Sequence, residues 1–128
     1  MKSYNTGIAA EYFIISQLYR QNIEAHITIG NKKTIDIRII TSEGKALSLD
    51  VKAVRSYSSL IINNVEKKEN HYIAFVIYND KFEKIDTLPD VFIINSMDIE
   101  KYATYFKKEA RVYKRSILNE KDKWDLLK

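Results

Sequence analysis

The chain has 128 residues, with 21 Lys and Arg, 17 Asp and Glu, a formal charge of +4, 45% apolar residues and no Cys. This length predicts one domain, and the apolar content excludes intrinsic disorder. The lack of Cys excludes disulfides, Cys-ligated zinc and a thiol nucleophile, and no stretch reaches the ~18 apolar residues of a membrane span. We expect a soluble, cytoplasmic protein whose charge permits nucleic-acid binding without requiring it.

The N-terminal half predicts one helix followed by a meander of strands. Residues 7–21 carry apolar side chains at helical spacing, with Asn5 or Thr6 as the N-cap. Three later segments have strand patterns and are separated by short turns: residues 24–29, 34–40 and 46–53.

The middle of the chain predicts a short crossover and two buried strands. Residues 59–62 are expected to extend the sheet, and residues 64–70 suit one or two helical turns. Residues 71–78 and 91–94 are apolar runs typical of buried strands.

The C-terminal part predicts a second helix and a basic tail. Residues 97–108 suit a helix capped by Ser96, with Phe106 on its core-facing stripe. A strand near Val112 and a last helical turn are expected in the tail. The order α-β-β-β-α-β-β-α predicts an α/β protein with an α+β mixed sheet. It forms one domain over residues 1–128, with a basic C-terminal extension over residues 107–128.

Glu11 interrupts the apolar stripe of the first helix. It lies three residues after Ile8 and four before Ile15, where a carboxylate is rarely buried unless it is paired. The ordinary explanation is a Glu at the edge of the stripe that reaches water.

Two predicted strands place charged side chains on one face. Asp36 and Arg38 alternate with isoleucines, and Asp50 and Lys52 alternate with Leu49 and its apolar neighbours. A solvated face of an antiparallel sheet would explain each strand separately.

The turn between these strands predicts their register. A three-residue loop over residues 42–44 gives Gly44 the position that needs a positive φ. This loop pairs Asp36 with Asp50, whereas a two-residue loop would place Asp36 opposite Val51 on the wrong face.

The opposed carboxylates need a cation nearby. Like charges directly opposite in a sheet have Cβ atoms about 4.5–5.5 Å apart and destabilise it. Lys52 is one candidate cation, and a divalent metal shared by Asp36 and Asp50 is another. A helix packed over this face could bring Glu11 to the same point. The competing interpretation is a surface ion network of little energetic weight.

The pattern resembles the PD-(D/E)XK nuclease superfamily: a helix Glu, an Asp in the second strand and (Asp/Glu)-x-Lys in the third. The variant with Glu on the first helix is similar to archaeal Holliday-junction resolvases and small endonuclease-like domains. Ile35 stands where Pro is usual, and Asp50 stands where Glu is also common. The matching segments are GIAAEYFI at 7–14, TIDIRI at 34–39, LSLDVKA at 47–53 and HYIAFVIY at 71–78.

The resemblance implies a restriction-endonuclease-like core and a metal-dependent endonuclease that hydrolyses phosphodiester bonds in DNA, including branched or structured DNA. It implies that Asp36 and Asp50 ligate Mg²⁺ or Mn²⁺, that Glu11 binds this ion directly or through water, and that the Val51 carbonyl completes the shell. Lys52 would orient the attacking water or help to deprotonate it, and would stabilise charge on the phosphate. Oxygen ligands without His or Cys suit these two metals rather than zinc.

Basic residues are the expected contacts to phosphates. The densest basic cluster lies at residues 107–115, where five basic residues accompany a single acidic residue, Glu109. Aromatic residues that could stack on bases lie among and beside them. For Phe106 we expect a core position instead. The expected phosphate contacts are Lys32, Lys33, Arg38, Arg55, Lys107, Lys108, Arg111, Lys114 and Arg115.

Two other functions fit the sequence. One is a catalytically weak nuclease fold that acts as a nucleic-acid-binding or assembly module, in which the four site residues need not converge. The other is an interaction protein without DNA binding, for which no salt-dependent affinity is expected. Paired-strand cutting would require a homodimer, with residues 91–94 or the tail as the interface.

Overall fold

The computed structural model describes residues 2–28, 36–63 and 65–128, and these form an α+β fold with a mixed sheet. Five of the described strands build this main sheet: Glu24–Thr28 (β1), Asp36–Ile40 (β2), Ala46–Val54 (β3), His71–Ile77 (β5) and Asp90–Asn95 (β6). Their order is β1-β2-β3-β5-β6, with β3 and β5 parallel and the other neighbours antiparallel. The predicted meander and mixed sheet are therefore confirmed.

The first helix, α1 (Lys2–Arg20), packs on one face of the main sheet. It begins before the predicted caps Asn5 and Thr6, so this capping prediction is wrong. The Thr6 hydroxyl instead accepts a hydrogen bond of 2.6 Å from Arg55 Nε. Neither helix among the described residues has the length and apolarity needed to cross a membrane.

A second, smaller sheet covers the opposite face. Its described strands are Ser59–Ile61 (β4), Ala103–Tyr105 (β7) and Ala110–Tyr113 (β8), in the order β4-β8-β7. Leu60 and Val112 of this layer pack with Phe75 of the main sheet. The expectation that residues 59–62 extend the main sheet is wrong, because β4 pairs with β8.

The predicted helix over residues 97–108 is also wrong. A 3-10 turn and a single α-helical turn, α2 (Ile99–Tyr102), are followed directly by β7. The Ser96 hydroxyl does not cap this helix, because it accepts from Lys68 N (3.1 Å) and donates to Lys68 O (2.7 Å). Asn95 caps the 3-10 turn, because its side chain accepts from Met97 N, and Asp98 stands at the N-cap of α2 without a side-chain hydrogen bond.

The connection between β3 and β5 also differs from the predicted structure. Residues 65–70 form no helix, because their backbone is tied to Ser96 at Lys68. The predicted order α-β-β-β-α-β-β-α therefore fails at the crossover, where the described chain holds β4 instead of a helix.

The tail packs against the main sheet. Lys121 bridges to Phe92, and Asp122 N donates to Val91 O over 2.9 Å, so the tail lies along the outer edge of β6. The expected last helical turn is a 3-10 turn, Trp124–Leu127, and Leu127 is fully buried. The tail thereby covers part of the edge that residues 91–94 would offer to a second copy.

Asp90 joins three segments at the start of β6. Asn79 donates a hydrogen bond to its carboxylate over 3.0 Å, and Lys114 and Lys121 each lie 3.5 Å away. Partial burial favours the neutral acid, but Asn79, Lys121 and Lys114 outweigh it and lower the pKa of Asp90 below its usual value.

The Asp90→Asn variant is expected to lose about 1 kcal/mol of unfolding free energy at pH 7, because two ion pairs disappear. A carboxylate with a lowered pKa stabilises the fold above its unfolded pKa, and this stabilisation is lost as pH falls through the folded pKa. Urea denaturation across the acid range measures the difference from the native chain. A difference that stays constant down to the acid end would contradict the assignment.

Candidate active site

The β2–β3 hairpin has the predicted register. Thr41 and Lys45 close the loop through a backbone hydrogen bond of 2.8 Å, and Gly44 has a φ of +83°. Asp36 lies directly opposite Asp50 in the ladder. The turn therefore places two acidic positions on one rung of the sheet.

The Gly44→Ala variant is expected to destabilise the protein by about 1 kcal/mol, because an L side chain is strained at this φ although nothing lies within 4 Å of the new Cβ. Gly7→Ala is the matched control. Gly7 lies inside α1 with similar open space around it, so Ala should stabilise by about 1 kcal/mol. Thermal denaturation compares the two variants, and equal shifts of one sign would contradict the register argument.

The Asp50 side chain points away from α1. Leu49 packs in the cluster that contains α1, so alternation along β3 sends Asp50 and Lys52 to the other face. There they lie beside Ile73 and Phe75 of β5, which belong to the cluster under the second sheet. A charged pair thus occupies the face between the two sheets.

This charged pair is largely buried. Lys52 Nζ lies 3.7 Å from Asp50 Oδ2, and the two side chains are 18% and 6% exposed. Removing a carboxylate from water is costly unless a cation accompanies it. A surface ion network does not describe Asp50, because its side chain is shielded from solvent.

Glu11 is also buried, with 8% of its surface exposed. The ordinary explanation, a carboxylate in water at the stripe edge, is therefore wrong. The expected helix over the Asp50 face is not found there, because α1 packs on the Leu49 face. The described residues therefore place α1, with Glu11, and the Asp50 side chain on opposite faces of β3.

The described part of β2 starts at Asp36, opposite Asp50, while β3 continues to Val54. Residues 29–35 lie outside the described residues, and with them the expected phosphate contacts Lys32 and Lys33.

The Val51 carbonyl points towards the β2 side of β3. Ser48 N donates to Asn70 O, and Val54 O accepts from Tyr78 N, so the even-numbered residues of β3 direct their backbone groups to the β5 side. Because these directions alternate along a strand, Val51 directs its carbonyl to the β2 side. This orientation suits the ligand role that the resemblance implies.

The candidate metal ligands whose positions are described are the carboxylates of Glu11 and Asp50 and the carbonyl of Val51. Among the residues that the structure describes, no group of three or more Asp, Glu or His could hold a metal ion. The Asp36 side chain lies outside that part of the chain, and only its backbone position on the Asp50 rung is fixed. An all-oxygen set of this kind matches the preference of Mg²⁺ and Mn²⁺.

Two predicted phosphate contacts lie near this site. Arg38 is exposed and shares its rung with Ser48, hence the face of Asp50. Arg55 is held at the end of β3, where its guanidinium lies 3.9 Å from the centre of the Phe82 ring and its Nε donates to Thr6. Arg38 is the more accessible of the two for an incoming phosphate.

In the basic cluster at residues 107–115, some side chains form ion pairs and others are exposed. Arg111 pairs with Glu109 and donates to Ser59 Oγ, and Lys114 pairs with Asp90. Arg115 lies 4.4 Å from the centre of the Tyr113 ring. Lys107 and Lys108 are exposed in the turn between β7 and β8, and no described carboxylate lies within 4 Å of their ammonium groups.

Two features escaped the sequence analysis. Ser48 Oγ and His71 Nδ1 are hydrogen-bonded over 2.6 Å, two rungs before Asp50 along β3. Phe106 is 50% exposed rather than in the core. The run Ala103-Thr104-Tyr105-Phe106 before Lys107 could have indicated this exposed position, because it suits a strand and a turn better than a helix end.

Comparison of the chain with protein-family models, with curated proteins and with solved structures gave no match.

Proposed function

We propose that this protein is a metal-dependent endonuclease of the PD-(D/E)XK type that hydrolyses phosphodiester bonds in DNA, including branched or structured DNA. The observation that carries the proposal is the rung that pairs Asp36 with Asp50, with Lys52 partly buried on the Asp50 face and its Nζ 3.7 Å from Asp50 Oδ2. A purely structural sheet gains nothing from two opposed acids.

A divalent ion would offset the repulsion between these two carboxylates. Asp36 and Asp50 would hold Mg²⁺ or Mn²⁺ together with the Val51 carbonyl, and Glu11 would bind it directly or through water. When bound, such an ion supplies an activated water near neutral pH and neutralises charge that develops on the phosphate.

Lys52 contributes a point charge beside the same position. Its ammonium group would orient the attacking water and stabilise the added negative charge on the phosphate oxygens. Its partial burial strengthens this interaction, because little water screens it.

The basic residues would hold the DNA backbone. Arg38 lies on the Asp50 face, and Lys107 and Lys108 extend from the second sheet. We further propose that the enzyme acts in the cytoplasm, and that cutting of paired strands would require a homodimer. The tail lies against β6 at Val91 and Phe92, so the tail itself or the rest of residues 91–94 would supply that interface.

A cleavage assay tests the proposal. Purified protein is incubated with labelled linear, single-stranded and branched DNA, with Mg²⁺, with Mn²⁺ or with chelator. Cleavage that requires the ion is expected. Salt-dependent DNA binding without cleavage under any of these conditions would instead support a binding module on this fold.

A further inference from the structure

The hairpin of β7 and β8 ends in an exposed aromatic and basic tip, here the hairpin tip (Tyr105–Lys108). Phe106 N donates to Glu109 O over 2.8 Å, which leaves Lys107 and Lys108 as the central residues of the turn. Tyr105 is 62% exposed and Phe106 50%. Two half-exposed rings therefore lie next to two exposed ammonium groups.

The hairpin stands on the face of the main sheet that carries Asp50 and Lys52. Val112, Ala103 and Ala110 of the hairpin pack in the cluster with Phe75, and Phe75 shares its rung with Lys52. The base of the hairpin is thus anchored above the proposed catalytic face, and its tip projects away from that anchor.

The charges of the hairpin indicate a polyanion as partner. Arg111 is held by Glu109 and Ser59 within the protein, whereas Lys107 and Lys108 point into solvent. The rings add flat apolar surfaces, which stack on nucleobases whatever the base. In a duplex the faces of the bases are covered by their neighbours, so such rings can stack only on unpaired or terminal bases.

We propose that the hairpin tip stacks on unpaired bases through Tyr105 and Phe106 while Lys107 and Lys108 contact the adjoining phosphates. This deepens the proposed function and rests on it: the preferred substrate class is DNA with single-stranded segments, such as forks and junctions.

Binding without metal tests this proposal separately from cleavage. Fluorescence anisotropy is measured with a labelled single strand, its blunt duplex, and a fork with unpaired arms. Tyr105→Ala with Phe106→Ala is expected to weaken binding of the single strand and the fork roughly tenfold or more, and of the duplex by less than about twofold. Tyr19→Ala is the matched control, since Tyr19 is an exposed aromatic residue on α1, across the sheet.

The lysines should behave differently. Lys107→Ala with Lys108→Ala is expected to weaken binding of all three DNAs and to reduce the slope of log affinity against log salt by about 1 to 2.

Three results would overturn the proposal. They are unchanged affinity of the aromatic variant for the fork, equal losses on fork and duplex, or an equal loss in Tyr19→Ala. Failure of the native protein to bind any of the three DNAs would overturn the proposed function as well. Native binding with an unaffected aromatic variant would overturn the role of the hairpin tip alone.

Discussion

The Asp50→Asn variant is expected to cut DNA at least about 100-fold more slowly than the native protein. Asn keeps the size of the side chain but removes the negative charge that faces Asp36 and Lys52. Loss of about 3 kcal/mol of charge stabilisation corresponds to a factor of this size. Binding of the DNA itself should change little, because the basic residues are intact.

A matched control separates the effect of this position from the general effect of replacing Asp with Asn. Asp125→Asn makes the same change at a side chain that is 93% exposed and pairs with Lys128. Initial cleavage rates in Mn²⁺ compare the two variants at equal folded fraction, judged by circular dichroism. Cleavage by Asp50→Asn at the native rate would place the activity elsewhere.

The Lys52→Met variant is expected to lose cleavage by roughly 100-fold while it binds Mn²⁺ at least as tightly as the native protein. Met fills similar space but removes the ammonium group 3.7 Å from Asp50, and losing one preorganised charge contact costs about this much in rate. Metal affinity should not fall, because the cation that competes for Asp50 is gone.

This prediction is specific because cleavage should fall while metal affinity does not. A variant that merely fails to fold would lose both cleavage and metal binding. Lys101→Met is the control, since Lys101 on α2 is 72% exposed and pairs with Asp98 just before this helix. Parallel losses of both properties in Lys52→Met, with a folded protein, would contradict a catalytic role for Lys52.

The register of the site could be predicted from the sequence because its causes are local. Gly44 specifies the loop, and the strict alternation in β2 and β3 allows one pairing that keeps the isoleucines inside. Asp36 and Asp50 are opposed for these reasons alone. The main sheet followed from similar local patterns.

The second layer could not be predicted because its causes are long-range. Residues 97–108 fit a helical stripe, yet β7 forms because Thr104 and Tyr105 pair with Arg111 and Ala110. Ser96 bonds to Lys68 across the fold rather than capping a helix. Likewise, the side of the sheet on which α1 packs depends on tertiary packing, which the position of Glu11 in the sequence does not reveal.

The most direct test of the central claim is a calorimetric Mn²⁺ titration of the folded native protein, Asp36→Asn and Asp50→Asn. If the two carboxylates share one ion, the native protein binds Mn²⁺ and each variant binds it at least about tenfold more weakly, since even outer ligand partners are worth that much. Native-like binding by either variant would contradict a metal site built on the Asp36–Asp50 rung.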